Sequence, residues 1–433
     1  LLRAPHLRQQ LSVRALFSDG SERDITDIAT YETSNKPIAT VDENGLVKGA
    51  ERGLAAITIR YLQHLESVYF TVVHDIPDFV WTAPQEHNYV DQLVNERLQL
   101  LQISPAKTCS DSVFLRRVFL DLTGLLPTAN QSHAFLASKK TEKRKQLIDD
   151  LLESREFSRF QSLQMADLFR VNPRTLTDGR AALFANWISE AIEQNRPFDE
   201  VTHDLLTATG DSNKVPPANY YAALDTTEST IETTAQIFMG SRIQCAKCHN
   251  HPFENWTQDD YYQIGAVFTR IQRAEGMIQM SDSGEMEHPR TGEIMKPWGG
   301  GTNEDRRTKF ADWLTSSENP FFARVIVNRI WAHLLGKGIV EPVDDFRSSN
   351  PPSNVPLLDA LAADLVSSDF DRRHIFRAIC NSQVYQRQTQ TNEFNEDDED
   401  NFSHSKVRLL SAEQLNDAIA YMTKSAPTAN EIP

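Results

Sequence analysis

Over residues 1–76 the apolar positions come in short runs broken by Gly, Asp and Ser. The stretch Leu11-Ser12-Val13-Arg14-Ala15-Leu16-Phe17 alternates with period two, as a half-buried strand does, and Asp19-Gly20-Ser21 follows it as a turn. Further apolar runs at 38–41, 45–49, 55–59 and 68–73 complete a series of short strands with Gly and Asp turns, which predicts a β-sandwich. Residues 77–87, with Pro77 and Pro84, predict a linker. The period then changes. Segments 89–101, 112–122, 144–152 and 181–193 carry apolar residues three and four apart and predict amphipathic helices. Thr123-Gly124 and Leu126-Pro127 predict a helix stop. A mainly helical domain is therefore expected over 88–272, then a connecting loop over 273–301 that ends in Trp298-Gly299-Gly300-Gly301. A second helical domain is expected over 302–433: Phe322, Ile326, Ile330 and Leu334 make a buried stripe, Gly336 and Gly338 end it, and Pro351-Pro352 separates it from the next helix, 357–366. The predicted fold class is an N-terminal all-β sandwich followed by mainly α-helical domains packed as one unit.

Composition narrows the function classes. The chain has 433 residues, 40% of them hydrophobic, enough for several buried cores. No stretch approaches the ~18–20 consecutive apolar residues of a membrane span, so a soluble chain without such a span is expected. The net charge of −16, with no basic run, argues against nucleic acid as a partner. The first residue is Leu1 and no signal peptide precedes it, so the chain is expected to lie within a longer precursor. The run 396–400 holds five carboxylates but lacks EF-hand spacing and its central Gly, and reads as a disordered acidic loop.

Four cysteines are too few for a disulfide scaffold of this size. Cys109 and Cys380 are isolated and expected to be buried or inert thiols. Cys245, Cys248 and His249 stand at i, i+3 and i+4, and Ile231, Ala235, Phe238 or Met239, and Ile243 predict a helix over 231–243 running into them. On a helix all three side chains face one way. That arrangement suits covalent haem c, with two thiols adding to the vinyl groups and the imidazole binding the iron. Three other readings use the same residues: a zinc or iron site drawing on His249 or His251, a thiol–disulfide oxidoreductase, and a structural disulfide. No second C-x-x-C exists to close a four-ligand zinc site, and no βαβ pattern surrounds the motif. His251 points away if the helix continues, although Pro252 is expected to end it.

Two resemblances sharpen this reading. The stretch FSDGSERDITDIATYETSNKPIATVDENGLVKGAERGLAAITIRY resembles the bacterial immunoglobulin-like domain, group two, which implies a spacer or adhesive module. FLRRVFLDLTGLLPT, NRPFDEVTHDLLTATGDS, NYYAAL and FMGSRIQCAKCHNHPFENWTQDDYYQIGAVF resemble the planctomycete cytochrome C-type domain family. ADWLTSSENPFFARVIVNRIWAHLLGKGIVEPVDDFRSSNPPS, ICNSQVYQRQ and LLSAEQLNDAI resemble its companion domain of unknown function, of which the usual C-terminal tail is missing at Pro433. The resemblance implies that Cys245 and Cys248 attach haem and that His249 is the proximal ligand. His251, Pro252, Phe253, Trp256, Asp259, Asp260 and Tyr261 match the family motif without an assigned role. A second axial ligand would come from Met277, Met280, His203, His288 or His333, the two methionines lying in the connecting loop.

The expected function is an exported, periplasmic or cell-surface haem c protein that exchanges electrons with a redox partner protein or serves among cell-surface components. The alternatives are a cell-surface scaffold or adhesion protein with a structural Cys/His metal site or disulfide, and a metal-dependent extracellular enzyme. The carboxylates Asp344 and Asp345 beside Arg347 are expected to bridge to Arg or cap a helix, and Thr257 to N-cap a helix with Asp259 and Asp260 in its first turn.

Overall fold

The computed structural model describes residues 1–301 and 305–425. Residues 302–304 and 426–433 of the expected 302–433 domain lie outside the described residues. The N-terminal region is a β-sandwich. Its larger sheet centres on the antiparallel pair Gly53–Tyr61 and His64–Val73, with Ile57 opposite Val68; Thr30–Thr33 flanks one side and Leu2–Arg3 the other. The facing sheet sets Leu46–Gly49 between Arg8–Gln10 and Ala39–Val41. Ala39, Val47, Ala55, Ile57 and Val72 are wholly buried between the two, which is how stacked antiparallel sheets make a core. The expected half-buried strand over 11–17 is not formed. Only Arg14–Leu16 is extended, in a hairpin with Glu22–Asp24, and Leu16 is 79% exposed because no second sheet covers that hairpin.

Segment 74–88 crosses to the helical body without regular structure. The helices predicted from periodicity appear as Tyr89–Leu100, Asp111–Thr123, Lys143–Leu152, Asp178–Glu193, Phe322–Leu335 and Val355–Ser367. Asn88, Ser110 and Asn354 cap three of them by accepting hydrogen bonds from backbone N–H groups of the first turn. Gly124 and Gly336 end two of them in the left-handed conformation. One continuous apolar core runs from Val73, at the end of the sandwich, to Phe402, so both helical blocks share their interior. Buried polar pairs join them. Asp91 accepts from the Val384 N–H at 2.9 Å, and the Tyr385 hydroxyl donates to Asp121 at 2.8 Å. Arg387, 2% exposed, donates to Asn95 at 2.8 Å and to the Phe402 carbonyl at 2.7 Å.

Two expectations need correction. The 273–301 segment is not all loop: Ile271–Ala274 and Met277–Met280 form a hairpin through Glu275-Gly276, both with positive φ, as the tightest two-residue turns demand. Met277 and Met280 therefore sit on a strand. The acidic run 396–400 is folded, because Asp398 turns inward and accepts from the N–H groups of Asn401 (2.9 Å) and Ser403 (3.1 Å). Asp397 meets Arg52 of the sandwich at 2.7 Å, and Asp400 pairs with Lys337.

Asn328, fully buried, closes the loop after Gly336: it donates to the Val340 carbonyl at 2.8 Å and accepts from the Val340 N–H at 3.0 Å. Asn328→Ala leaves both buried groups unpaired and should cost about 2–4 kcal/mol, read as a lower urea midpoint at unchanged m-value. A change within about 0.5 kcal/mol would show that the loop has another anchor.

Candidate functional site

The helix that was expected to carry the motif stops short of it. Thr227–Thr234 is α-helical, Ala235–Met239 widens to a π turn, and Gly240 ends it at φ 61°. A side chain there would lie 2.7 Å from both Phe346 and Val325, so the helix end is packed directly against the second helical block. The Phe346 N–H donates to the Gly240 carbonyl at 2.9 Å, and two residues on Arg242 pairs with Asp344 at 2.6 Å. Burial would raise the Asp344 carboxyl, but hydrogen bonds from Arg242 and Gln236 hold it below the usual range. Asp345 faces Arg347 at 3.1 Å. These acids thus bridge to arginines, as expected, and the first pair anchors the approach to the motif.

The C-x-x-C-H segment itself is a single 3-10 turn, Gln244–Lys247, rather than α-helix. Ala246 plugs inward while Cys245, Cys248 and His249 all face solvent. The N–H groups of Cys248 and His249 both point to the Cys245 carbonyl, at 3.3 and 3.4 Å. These contacts curl the backbone through one turn, and all three side chains are exposed on it. Neighbours hold the turn from behind. Gln258 and the Tyr262 hydroxyl donate to the Lys247 carbonyl at 3.0 and 3.1 Å, and Asn250 accepts from the Gln258 N–H at 2.9 Å. Thr257 and Asp260 cap the helix Gln258–Phe268 reciprocally, which fixes Gln258 and Tyr262.

All four cysteines are free thiols. Cys109 and Cys380 are buried, and burial pushes both thiols up, so they are inert as expected. The two imidazoles beside the motif differ. His249 Nδ1 lies 2.7 Å from the Asn250 carbonyl, so it carries the proton and leaves the Nε2 lone pair outward. His251 Nδ1 accepts from the Phe253 N–H at 3.2 Å, so its ring proton sits on Nε2. Among the described residues no group of three His, Cys, Asp or Glu converges to hold a metal ion. His249 and His251 are not brought together with a third ligand.

Two of the proposed second axial ligands, His203 and His333, are occupied elsewhere. His203 faces Asp312 at 3.2 Å, and His333 donates from Nε2 to the Asp121 carbonyl at 2.6 Å. His288, 2% exposed, lies 3.3 Å from Asp259 and edge-on to Tyr262. Met277 and Met280 are half-buried on their strand.

One group at the site gave no sequence signal. Glu254 sits where the sandwich meets the loop: Arg60 donates to the Pro252 carbonyl, and burial, with Glu254 adding to it, raises the pKa of Tyr69. Burial pushes the Glu254 carboxyl up to about 8, with Asp345 adding to the rise and Arg347 opposing it. Burial, and then Arg347, lowers His251. The loop therefore offers a protonated carboxyl and a neutral imidazole near neutral pH.

Comparison with known families agrees with this layout. Residues 89–273 match a family described as a protein of unknown function, DUF1549, with the short name PSCyt2. Residues 306–431 match a second family described as a protein of unknown function, DUF1553, short name PSD1. Residues 5–60 match the bacterial Ig-like domain, group 2, a module typical of extracellular bacterial proteins. The first short name hints at a cytochrome, while both descriptions leave function open. No curated protein and no solved structure matches the chain. Among the described residues no helix is long and apolar enough to cross a membrane.

Glu254 binds its proton more tightly when folded, so its stabilising contribution is complete below the unfolded value of 4.5 and is lost as pH rises through about 8. His251 has the opposite sense and favours the fold above 6.5. Glu254→Gln should remove only the first trend. Its melting temperature relative to the wild type should climb between about pH 5 and about pH 9, and a constant gap would contradict the assignment.

Proposed function

We propose that this protein is an exported haem c carrier, with haem bonded through Cys245 and Cys248 and His249 as axial ligand. The observation that carries the reading is the chemical state of the turn. Two unbridged thiols and one imidazole face solvent together, and the imidazole keeps its Nε2 lone pair because Nδ1 is tied to a backbone carbonyl. Metal-binding histidines are commonly oriented by such a hydrogen bond. The short name of the matched family and the resemblance to a planctomycete cytochrome C-type domain support the same chemistry. The Ig-like module supports a periplasmic or surface setting, where it would act as a spacer.

The residues fit haem at its point of attachment, and less so beyond it. Of the residues proposed as sixth ligand, His203 and His333 are engaged elsewhere, and the cleft that reaches Gln244, about 580 Å³, is lined largely by polar residues such as Asp167, Arg170 and Asn172. When bound, haem would supply one-electron exchange. The chain's own part is positioning: the Arg242–Asp344 pair, Gln258 and Tyr262 keep the turn facing outward.

A second reading is favoured by the same turn. The contact of the Cys248 N–H with the Cys245 carbonyl folds the two cysteines onto one turn, and disulfides need α-carbons about 4.4–6.8 Å apart. In that case the pair would be a surface dithiol on a scaffold or adhesion protein.

Export of the chain in a cell that assembles haem c separates the two readings. The haem reading expects a Soret band that persists after acid–solvent extraction, its loss in Cys245→Ala/Cys248→Ala, and a retained but shifted band in His249→Met. A colourless wild-type protein, or colour undiminished in the double variant, would overturn it.

A further inference from the structure

Between the helices Arg155–Leu168, Phe322–Leu335 and Arg372–Asn381 lies a cleft of about 230 Å³, shared by the two helical blocks and lined by no residue of the cysteine turn. Its walls are mainly apolar, with Leu168, Ile330 and Phe376 among them, and no carboxylate lines it. Two guanidinium groups do. Arg372 donates to the Gln161 side-chain oxygen at 3.2 Å and lies over the Phe198 ring at 5.3 Å. Arg329 donates to the Gln236 carbonyl at 2.9 Å. Asp344, the acid that acts on its charge, is taken up by Arg242 and Gln236.

Two donors at the cleft lack an acceptor. A guanidinium cannot accept, so Gln161 must turn its oxygen to Arg372, which leaves its NH2 facing away. Gln161 is 1% exposed, and its Nε2 has no partner among the described residues; neither has Arg329 Nε. His333 adds no charge, because its Nε2 proton goes to the Asp121 carbonyl while Nδ1 takes a hydrogen bond from Gln164 at 3.3 Å. Burial further lowers the imidazole, and burial alone pulls Arg372 down to about 10. Secluded cations with spare donors are costly unless an acceptor reaches them.

We propose that this cleft binds a small amphipathic organic anion, its carboxylate or phosphate held by Arg329, Arg372 and Gln161 and its apolar body seated against Leu168, Ile330 and Phe376. The size suits such a ligand, since an apolar cavity of ~150 Å³ already admits one benzene ring. Planar, forked guanidinium groups suit oxyanions in particular.

Isothermal titration calorimetry on the whole chain tests this with four probes: benzoate, phenyl phosphate, phenol and inorganic phosphate. One or both aromatic anions should bind saturably at one site, with phenol and inorganic phosphate weaker by about tenfold or more. Arg329→Met and Arg372→Met should each weaken binding by about tenfold or more. Ala332→Trp keeps both cations but fills the cleft, and should abolish binding even if an arginine variant fails to fold. The proposal is overturned if neither aromatic anion binds the wild type saturably. It is equally overturned if phenol binds as well, or if Ala332→Trp binds undiminished.

Discussion

The place of the cysteine turn depends on one short encounter between the helical blocks. Gly240 lets the backbone turn against Val325 and Phe346, its carbonyl takes the Phe346 N–H, and Arg242 then meets Asp344. The helix has already ended at Gly240, and two residues after that ion pair the 3-10 turn begins, with Ala246 buried and Cys245, Cys248 and His249 exposed. The blocks matched to two separate families thus share more than a core, since one sets the exit direction of the segment that carries the chemistry of the other.

Much of the fold was legible in the pattern of apolar positions. The helices at 89–101, 112–122, 144–152 and 322–334 announced themselves because each sends apolar residues three and four apart into a large shared core. The misreadings have other causes. Leu16 alternates correctly yet lies open, because alternation records a pleat and not the presence of a covering sheet. Ile231, Ala235, Met239 and Ile243 are all buried, so the helical spacing looked continuous through 243. Gly240 carried the only local sign that the backbone changed direction. The run 396–400 looked like loose acid because its inward residue, Asp398, has the same charge as its neighbours; only the turn geometry distinguishes it.

At the site, residue types were readable and environments were not. Cys245, Cys248 and His249 stood out by spacing alone, and so did the capping role of Thr257. The tautomers of His249 and His251 depend on one backbone carbonyl and one backbone N–H, which no spacing encodes. Glu254 owes its raised pKa to burial at the contact with the sandwich and to Asp345, about ninety residues further along. The same holds for the arginine cleft. Arg329 and Arg372 are ordinary helix residues in sequence, and only the packing of three helices sets them in a cleft that no carboxylate lines.

The account rests on the two outward thiols being bonded to a porphyrin in the exported protein. Intact mass spectrometry after reduction and unfolding reads this without reference to colour or fold. The expected result is the polypeptide mass plus one haem, with fragmentation placing the addition on the peptide that holds Cys245 and Cys248. A polypeptide mass alone, from cells that load haem onto other c-type proteins, would contradict it.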